Sequence, residues 1–581
     1  MIRKKEKRTD FDIYIKQKIW YNVLVIKKEV AKMKKYYPVP MHIHSVWERN
    51  ASMEGHFYNA QKLGIKHMYI TDHDVRMGPR KNHISGYDFS KAGLFTNEPS
   101  PDPRRPRWHG FKEIKADEGT SYFIADGMLM MGAQGGNDEW TELSLVFDTS
   151  QKRHEYALLA NVILNMYMQV SAEDEDSRAV VDVELSQRPP NYEFGHIKYV
   201  FGNAENLETS HTAVIPVTAK EGLAEYVFEL LADAQSVGGG DNVLRRMSLT
   251  LSARRGKKAE LKIAKFSLSW DIEFEEGRRA QQRLADELGK KYGVKAFVTS
   301  EITGAGPHKN CFSTCVPVIN YRERNFCVTD EQAMEYVREY GGIYSRNHPF
   351  EELKDRFASG ITEKEKQELI DAHICRFIEN KAWDATLLEV GFPQGREGFT
   401  SEVHLKLWDA LSAAGVFITG YGDSDNHTNN TSWFDGNNFV AYIAAQNPCE
   451  EEFVSSMKRG DIYTGDPVYL QKMNVTFEGS GGQQMGQVDT GENSFEVILS
   501  LTNVPDGCAV VWIANGEEVK RESCRGDYRQ AMGIPDDGKV NFVRVAIYKE
   551  ERLIMLTNPI YKTNNSEIIK TIPKERRINY V

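Results

Sequence analysis

The stretch "VPMHIHSVWERNASMEGHFYNAQKLGIKHMYIT" (39–71) decides the expected fold. It opens with "VPMHIH" (39–44), a short apolar run that ends in polar residues and predicts a strand. Ser52 is a suitable N-cap, and apolar residues then recur at helical spacing until Gly64 ends the helix. "HMYIT" (67–71) predicts a second strand. A strand, a helix and a strand in this order are typical of a parallel sheet with crossover helices.

The same alternation resumes after Glu275 and continues to about residue 465. Apolar periodicity predicts helices at 276–291, 330–340, 362–380 and 401–413, and strands at 295–301, 314–319, 342–346, 385–390 and 416–421. The carboxyl ends of parallel strands carry the chemistry of such domains. The polar residues that follow these strands are therefore the candidates for a functional site.

Two other regions have a different pattern. Residues 75–119 are rich in Pro, Arg and Gly and predict a long loop. Residues 120–275 contain short β runs separated by turn residues, which is typical of a sandwich or jelly roll, and β runs return after Asp466. The sequence thus predicts a basic N-terminal extension, a first α/β part, an inserted β-sandwich, a second α/β part and a C-terminal β-sandwich (1–36, 37–119, 120–275, 276–465 and 466–581).

The composition is that of an ordinary globular protein. Hydrophobic residues make up 41% and charged residues 27% of the 581 residues, which excludes a disordered chain, a collagen and a disulfide scaffold. The longest apolar run, Ile19 to Ile26, is far shorter than the roughly 20 residues of a membrane helix. A net charge of −10 provides no electrostatic reason to bind nucleic acid. No membrane span and no nucleic-acid partner are expected.

The N-terminal residues and the cysteines indicate the compartment. The first 35 residues hold twelve Lys and Arg against four Asp and Glu, which predicts a solvated, partly helical leader or, alternatively, a polyanion-binding arm. Lys27 and Lys28 stand where a signal peptide would need small residues. The seven cysteines are odd in number and widely spaced, so free thiols in a reducing compartment are expected. The predicted location is the cytoplasm.

Polar residues follow several of the predicted strands. His42 and His44 close the first strand, where residues i and i+2 point to the same side and can reach one ion. The other strand ends carry "TDHD" (71–74), Glu301 with His308, "RNHP" (346–349), and "GDSDNH" (422–427). Several histidines and carboxylates in one pocket would be costly unless cations neutralise them. A cluster of two or three divalent ions, Zn, Mn or Fe, is therefore expected.

This series of motifs resembles the PHP superfamily, which is named for polymerase and histidinol phosphatase. "HIHS" (42–45), "YITDHD" (69–74), "SEITGAGPHKN" (300–310), "NHP" (347–349) and "GDSDNH" (422–427) match in order and spacing, and "MKRGDIYTGDPV" (457–468) and "LTNPIY" (556–561) look like its carbaryl-hydrolase-like branch. The resemblance implies an α/β fold, a distorted (β/α)7 barrel of PHP type, here interrupted by the inserted β-sandwich and followed by the C-terminal one. It also implies a di- or trinuclear metal site and hydrolase activity, mostly on phosphoesters.

The resemblance also implies roles for the motif residues. The metal ligands would be His42, His44, His73, Glu301, His308, His348, Asp425 and His427, with Glu301 bridging two ions and with His73 and His427 on a third. A third ion would need a further ligand between Ser45 and Gly55, where Glu48 and Asn50 are the nearby candidates and neither is in register.

Three more residues are candidates for the reaction itself. Asp72 and Asp423 could orient ligand histidines, with a loop cap as an equally weighted alternative. Arg346 lies two residues before His348 and could clamp a phosphate oxygen, although a surface ion pair is the stronger alternative.

Three functions remain open from the sequence. The leading hypothesis is a metal-dependent phosphoesterase that uses a metal-bridged hydroxide. The second is a hydrolase of carboxyl or carbamoyl esters or amides at the same site. The third is a carbohydrate- or surface-binding protein with a vestigial barrel, in which Trp140, Trp270 and Trp433 could stack on sugar rings, although a buried core position is the default for each. The expected substrate is a small-molecule or carbohydrate-linked ester, and the sequence leaves the oligomeric state open.

Overall fold

The computed structural model describes residues 35–578 apart from several gaps, which are residues 48–51, 78–82, 90–108, 149–155, 161, 173, 271–274, 305, 321–328, 393–397, 428–432 and 434–437. Nearly all of the predicted N-terminal extension, together with Glu48 and Asn50, lies outside the described residues.

The described residues form six helices of ten or more residues, which are named here in chain order. They are α1 (Met53–Lys62), α2 (Glu276–Tyr292), α3 (Asp330–Glu339), α4 (Glu363–Glu379), α5 (Ser401–Ala413) and α6 (Glu450–Arg459). The predicted N-cap is confirmed, because the Ser52 hydroxyl accepts a hydrogen bond from the Gly55 amide. Thr329 and Thr362 start α3 and α4 with complete capping boxes. The predicted positions of α1 to α5 are confirmed.

The inserted region is built from two facing β-sheets. One sheet has the strand order Thr212–Pro216, Glu193–Gly202, Ser177–Arg188, Arg246–Ala253, Thr141–Asp148, His109–Ala116; the other has Ala224–Glu229, Val162–Ser171, Lys258–Trp270, Met128–Gln134, Thr120–Ala125, with His83–Asp88 also on Lys258–Trp270. Burial alternates along the strands, and apolar side chains of both sheets, such as Leu164 and Leu249, share one core. This is a β-sandwich.

The sandwich also includes part of the region expected to be a long loop. His83–Asp88 and His109–Ala116 each pair with a strand of the two sheets, although they lie within 75–119. The Pro and Arg residues that suggested a loop are concentrated between these two strands.

The C-terminal region forms a ten-stranded sheet that extends into the α/β part. Its path is Lys35–Val39, Val440–Ala445, Ile462–Gly465, Arg552–Thr557, Asn541–Lys549, Phe495–Ala514, Asn474–Gly479, with Glu517–Ile534, Val488–Asp489 and Ile560–Lys562 attached to it. The strand expected at 39–44 therefore lies earlier, and it pairs antiparallel with Val440–Ala445. His42 and His44 follow this strand rather than close it.

The expected (β/α)7 barrel is wrong, because the strands of the α/β part do not close into one parallel sheet. His67–Ile70 and Lys295–Val298 form a separate parallel pair. A second sheet runs Ser300–Ile302, Lys309–Phe312, Ile343–Arg346, Leu387–Gly391, Thr419–Gly422, and its first two pairings are antiparallel. The connection 303–308 is too short for the crossover of a dozen or more residues that parallel strands need, so it makes a hairpin.

Two isolated bridges bring the pieces of the α/β part together. Ile43 pairs with Asn426, and His73 pairs with Glu301, both in parallel orientation. In the described part of the chain, no helix combines the length and the apolarity needed to cross a membrane.

Candidate metal centre

The structure brings all eight expected metal ligands into one cluster, called here the histidine–carboxylate cluster. Its members are His42, His44, His73, Glu301, His308, His348, Asp425 and His427. Glu301 lies within the short strand Ser300–Ile302, and the other members follow strands of the α/β part. The two isolated bridges hold the 42–44 segment against the 425–427 segment and His73 against Glu301. Several sets of three ligand atoms lie within 4.8 Å of one another.

Glu301 is at the centre of the cluster. Its Oε1 lies 3.2 Å from both His42 Nε2 and His308 Nδ1, and 3.6 Å from His348 Nε2. Its Oε2 lies 2.6 Å from His73 Nδ1. The carboxylate is fully buried and thus faces four imidazoles that come from four separate segments.

Asp425 occupies the other side of the same imidazoles. Its Oδ1 lies 2.8 Å from His44 Nε2 and 3.2 Å from His42 Nε2, and its Oδ2 lies 3.7 Å from His348 Nε2. His427 stacks on His44 with 4.0 Å between ring centroids. Two ligand atoms bound to one Zn at about 2.1 Å in a tetrahedron are about 3.4 Å apart, which is close to these separations.

The backbone at two ligands has an unusual conformation. His348 has a φ of 43° and Asp425 a φ of 45°, in the left-handed region that most residues avoid. Such strain is maintained only when the surrounding structure fixes it, and it concentrates at functional sites.

The charges in the cluster perturb one another strongly. Burial by itself would lower the pKa of His42, but Asp425, Glu301 and Asp423 raise it well above its usual value. Burial opposes ionisation of Glu301, and the surrounding histidines nevertheless hold its pKa well below the usual range. Burial lowers the pKa of His44 well below its usual value, and the neighbouring His427 adds to the effect. Shifts of opposite sign within one buried cluster are typical of functional sites.

Asp423 and Asp72 both lie beside ligand histidines. Asp423 Oδ2 is 3.5 Å from His42 Nδ1, and burial together with Glu389 raises the pKa of Asp423 to about 7. Asp72 accepts hydrogen bonds from the Ser45 amide and hydroxyl and from Gln281, and its Oδ1 is 4.0 Å from His44 Nδ1. Asp72 therefore supports the 42–45 segment through Ser45, while Asp423 approaches the ring of a ligand directly.

Arg346 is held in a buried ion pair. Its guanidinium pairs with Asp330 at 2.8 Å and lies 4.2 Å from the centroid of the Trp383 ring. Lys309 also pairs with Asp330. Arg346 therefore belongs to an ion-pair group beside Trp383, which favours the ion-pair alternative over the phosphate clamp, although the pair is buried rather than on the surface.

Glu389 is a site residue that the sequence analysis missed. It is fully buried on the strand Leu387–Gly391, where its Oε1 is 3.2 Å from His42 Nδ1 and its Oε2 is 2.9 Å from His348 Nδ1. One carboxylate thus lies against the second ring nitrogens of two ligand histidines, hydrogen-bonded to His42 and in ion-pair distance of His348. The available signal was a glutamate inside the apolar run "TLLEVG" (386–391), which is costly unless its charge has partners.

The donor set fits divalent transition-metal ions. Imidazole nitrogens and carboxylate oxygens suit Zn, Mn and Fe. The second ring nitrogens of His42 and His348 lie against the Glu389 carboxylate, which is the usual support of a metal-binding histidine. His42 Nε2 and Glu301 Oε2 are buried and make no hydrogen bond of good geometry within the described residues, and they face other members of the cluster, Glu301 Oε1 at 3.2 Å and His73 Nδ1 at 2.6 Å. The residues present therefore fit a metal centre.

Comparisons with known proteins provide no family assignment. No family model and no curated protein matches this chain. Among solved structures, a family 12 xyloglucanase from Bacillus licheniformis is 10% identical with a TM-score of 0.22, covering 32% of this chain and 98% of that one. An endoglucanase from Rhodothermus marinus is 12% identical with a TM-score of 0.21, covering 29% and 96%. A family 11 carbohydrate-binding module from Clostridium thermocellum is 10% identical with a TM-score of 0.20, covering 33% and 97%.

These comparisons correct two predictions. Membership of the PHP superfamily is wrong as an assignment, because no family model matches the chain and the described strands do not close the barrel that this membership implies. The PHP-type phosphoesterase is wrong for the same reasons, since its assignment depended on that membership.

Proposed function

We propose that the histidine–carboxylate cluster binds at least two divalent metal ions and that the protein hydrolyses carboxyl or carbamoyl esters or amides. One observation carries the proposal. The two oxygens of the buried Glu301 face imidazole nitrogens of His42, His73, His308 and His348 at 2.6–3.6 Å. A carboxylate between four rings from separate segments is the arrangement expected of a bridging metal ligand.

Two layers of residues support this role. His42, His44, Glu301 and His348 are buried, and Glu389 holds the rings of His42 and His348 from behind. This inner layer would keep the metal-binding atoms in place without help from substrate. When bound, divalent ions supply a water of lowered pKa and an electrophile for the oxygen of a scissile carbonyl.

The outer layer of the cluster faces the solvent side. Side-chain exposure rises from 12% at His73 and 15% at Asp425 to 26% at His308 and 38% at His427. A substrate would therefore approach past His308 and His427. His427 can accept or donate a proton at Nε2, because its Nδ1 is directed at the carbonyl oxygen of Asp425 at 2.8 Å. Burial lowers the pKa of His427, which favours the neutral ring, so this nitrogen is a candidate proton acceptor when no metal ion occupies it.

The test begins with metal analysis and continues with a substrate panel. Protein purified without added metal should hold at least two transition-metal equivalents per chain, and His42→Ala should lose them. Carboxyl esters, carbamates and amides, some of them carried on carbohydrate, should be hydrolysed in a metal-dependent way. A folded protein that holds no metal and hydrolyses none of these substrates would contradict the proposal.

The carbohydrate-binding alternative has its own outcome in the same panel. Two of the three tryptophans suggested as sugar platforms, Trp270 and Trp433, are buried. The ring of the third, Trp140, is in contact with the guanidinium groups of Arg178 and Arg254, each 4.5 Å from the ring centroid. Sugar binding would therefore depend on other residues. Polysaccharide binding without hydrolysis, and unchanged by His42→Ala, would favour that alternative.

A further inference from the structure

Helix α1 lies between the histidine–carboxylate cluster and the inserted β-sandwich, and a buried histidine on it contacts the cluster. His56 Nε2 is 2.8 Å from the carbonyl oxygen of His44. The indole Nε1 of Trp433 donates a hydrogen bond to His56 Nδ1 at 3.0 Å. Because Nδ1 accepts this bond, the ring proton is on Nε2, which donates to His44. His56 thus joins the segment of His44 to the segment that follows His427.

The other contact of α1 comes from the inserted sandwich. Asp241 accepts hydrogen bonds from the first amides of the helix, those of Met53 at 2.6 Å and Glu54 at 2.9 Å. Arg188 holds this carboxylate at 2.8 Å and also donates to the Asp241 carbonyl. All three groups of the contact, the helix end, Asp241 and Arg188, are buried. The local N-cap Ser52 accepts only from the Gly55 amide, and the two amides before it are satisfied by a residue nearly 190 positions away.

The guanidinium of Arg188 is tightly packed, so it has no room to move within this contact. Gly238 packs against the guanidinium so closely that a Cβ atom there would lie 1.9 Å from Arg188 Nη2. The position of the inserted domain therefore fixes Asp241, and Asp241 fixes the start of α1. His56 is on the first turn of the same helix, so a shift of the helix start moves the His56 ring directly.

We propose that His56 is a positioning residue for the histidine–carboxylate cluster and that the inserted domain sets its position through Asp241. His56 holds the backbone of His44, whose Nε2 is 2.8 Å from Asp425 Oδ1. Loss of the His56 bond would let His44 move away from Asp425. The inserted domain, which provides no cluster residue, thereby controls how well the cluster is formed. The effect on metal affinity rests on the proposed function, whereas the effect on the His56 ring does not.

The first arm of the test changes His56 and its donor. His56→Leu and Trp433→Phe should each weaken binding of Zn or Mn, measured by competition with a chelator, by about 10- to 100-fold, the usual effect of removing a group that supports a metal ligand. His56→Gln should restore part of the affinity, because its amide can donate to the His44 carbonyl. Trp408→Phe is the matched control, since Trp408 is equally buried and donates to the carbonyl of Ile418 at 3.2 Å. Wild-type affinity in a folded His56→Leu protein would overturn the proposal.

The second arm tests the link through the inserted domain without metal. In metal-free protein labelled at histidine nitrogens, the His56 ring should show the Nε2–H tautomer. Asp241→Ala should shift these ring signals and Asp241→Asn should shift them less, because asparagine keeps one acceptor for the helix amides. If Asp241→Ala is unfolded, Asp241→Asn alone still has to move the signals. Unchanged His56 signals in both variants would overturn the link, and a wild-type protein that binds no metal would overturn only the proposed function.

Discussion

Replacing Glu301 by glutamine should disable the cluster more than any change at its exposed edge. Glutamine keeps an oxygen that can accept the 2.9 Å hydrogen bond from Asn347 Nδ2, so the local packing is retained while the charge is removed. Two unit charges 3.2 Å apart, the separation of Glu301 from His42, interact by about 5 kcal/mol at an effective dielectric constant of about 20. We expect Glu301→Gln to lose at least about 3 kcal/mol of transition-state stabilisation, which is a factor of more than about 100 in kcat/KM.

The assay compares this variant with His427→Ala under the same conditions. His427 is the most exposed member of the cluster, and its Nδ1 lies 3.4 Å from the carboxylate oxygen Oδ1 of Asp425. Metal content, kcat and KM are measured for both proteins, with circular dichroism as the check on folding. Equal losses in the two folded variants would refute the central role assigned to Glu301.

Three further predictions follow from the structure. In metal-free protein, the pKa of His42 is raised by folding, so its charge stabilises the fold fully below about pH 6.5. This contribution is lost as the pH rises through the higher pKa of the folded state. Tm should therefore fall as the pH rises, and His42→Gln should make that fall smaller. Glu389→Gln should weaken metal binding about 10- to 100-fold in a chelator competition, because both His42 and His348 lose their carboxylate partner. Asp409→Asn should lower the free energy of unfolding, measured by urea titration, by about 3–5 kcal/mol, because it breaks the buried ion pair with Arg544. As the control, Glu567→Gln at the exposed ion pair with Lys570 should lower it by less than about 1 kcal/mol.

The helices could be predicted from the sequence because their signals are local. A cap residue and an apolar stripe lie within one or two turns, and Ser52, Thr329 and Thr362 each start a helix at the expected position. The residues of the histidine–carboxylate cluster were also recognisable, since costly polar groups follow apolar strands at several places in the chain.

Strand partners depended on tertiary structure. Strands of four or five residues, such as Lys35–Val39, carry too little pattern to specify a neighbour, and this one joins the C-terminal sheet rather than a barrel. The pairing of Arg346 with Asp330 also depended on tertiary structure. The rule that residues i and i+2 share a face holds for extended backbone, and His348, with a φ of 43°, has left the strand.

The histidine–carboxylate cluster shows which features depend on the sequence alone and which depend on tertiary structure. The sequence by itself determined which side chains have the chemistry to bind metal ions, because imidazole and carboxylate groups have that capacity wherever they stand. Tertiary structure decided which of them meet, that Glu389 holds two rings from behind, and that α1 is capped by Asp241 from a distant part of the chain. Contacts between distant segments depend on how whole sheets and helices pack, and no short stretch of sequence contains that information.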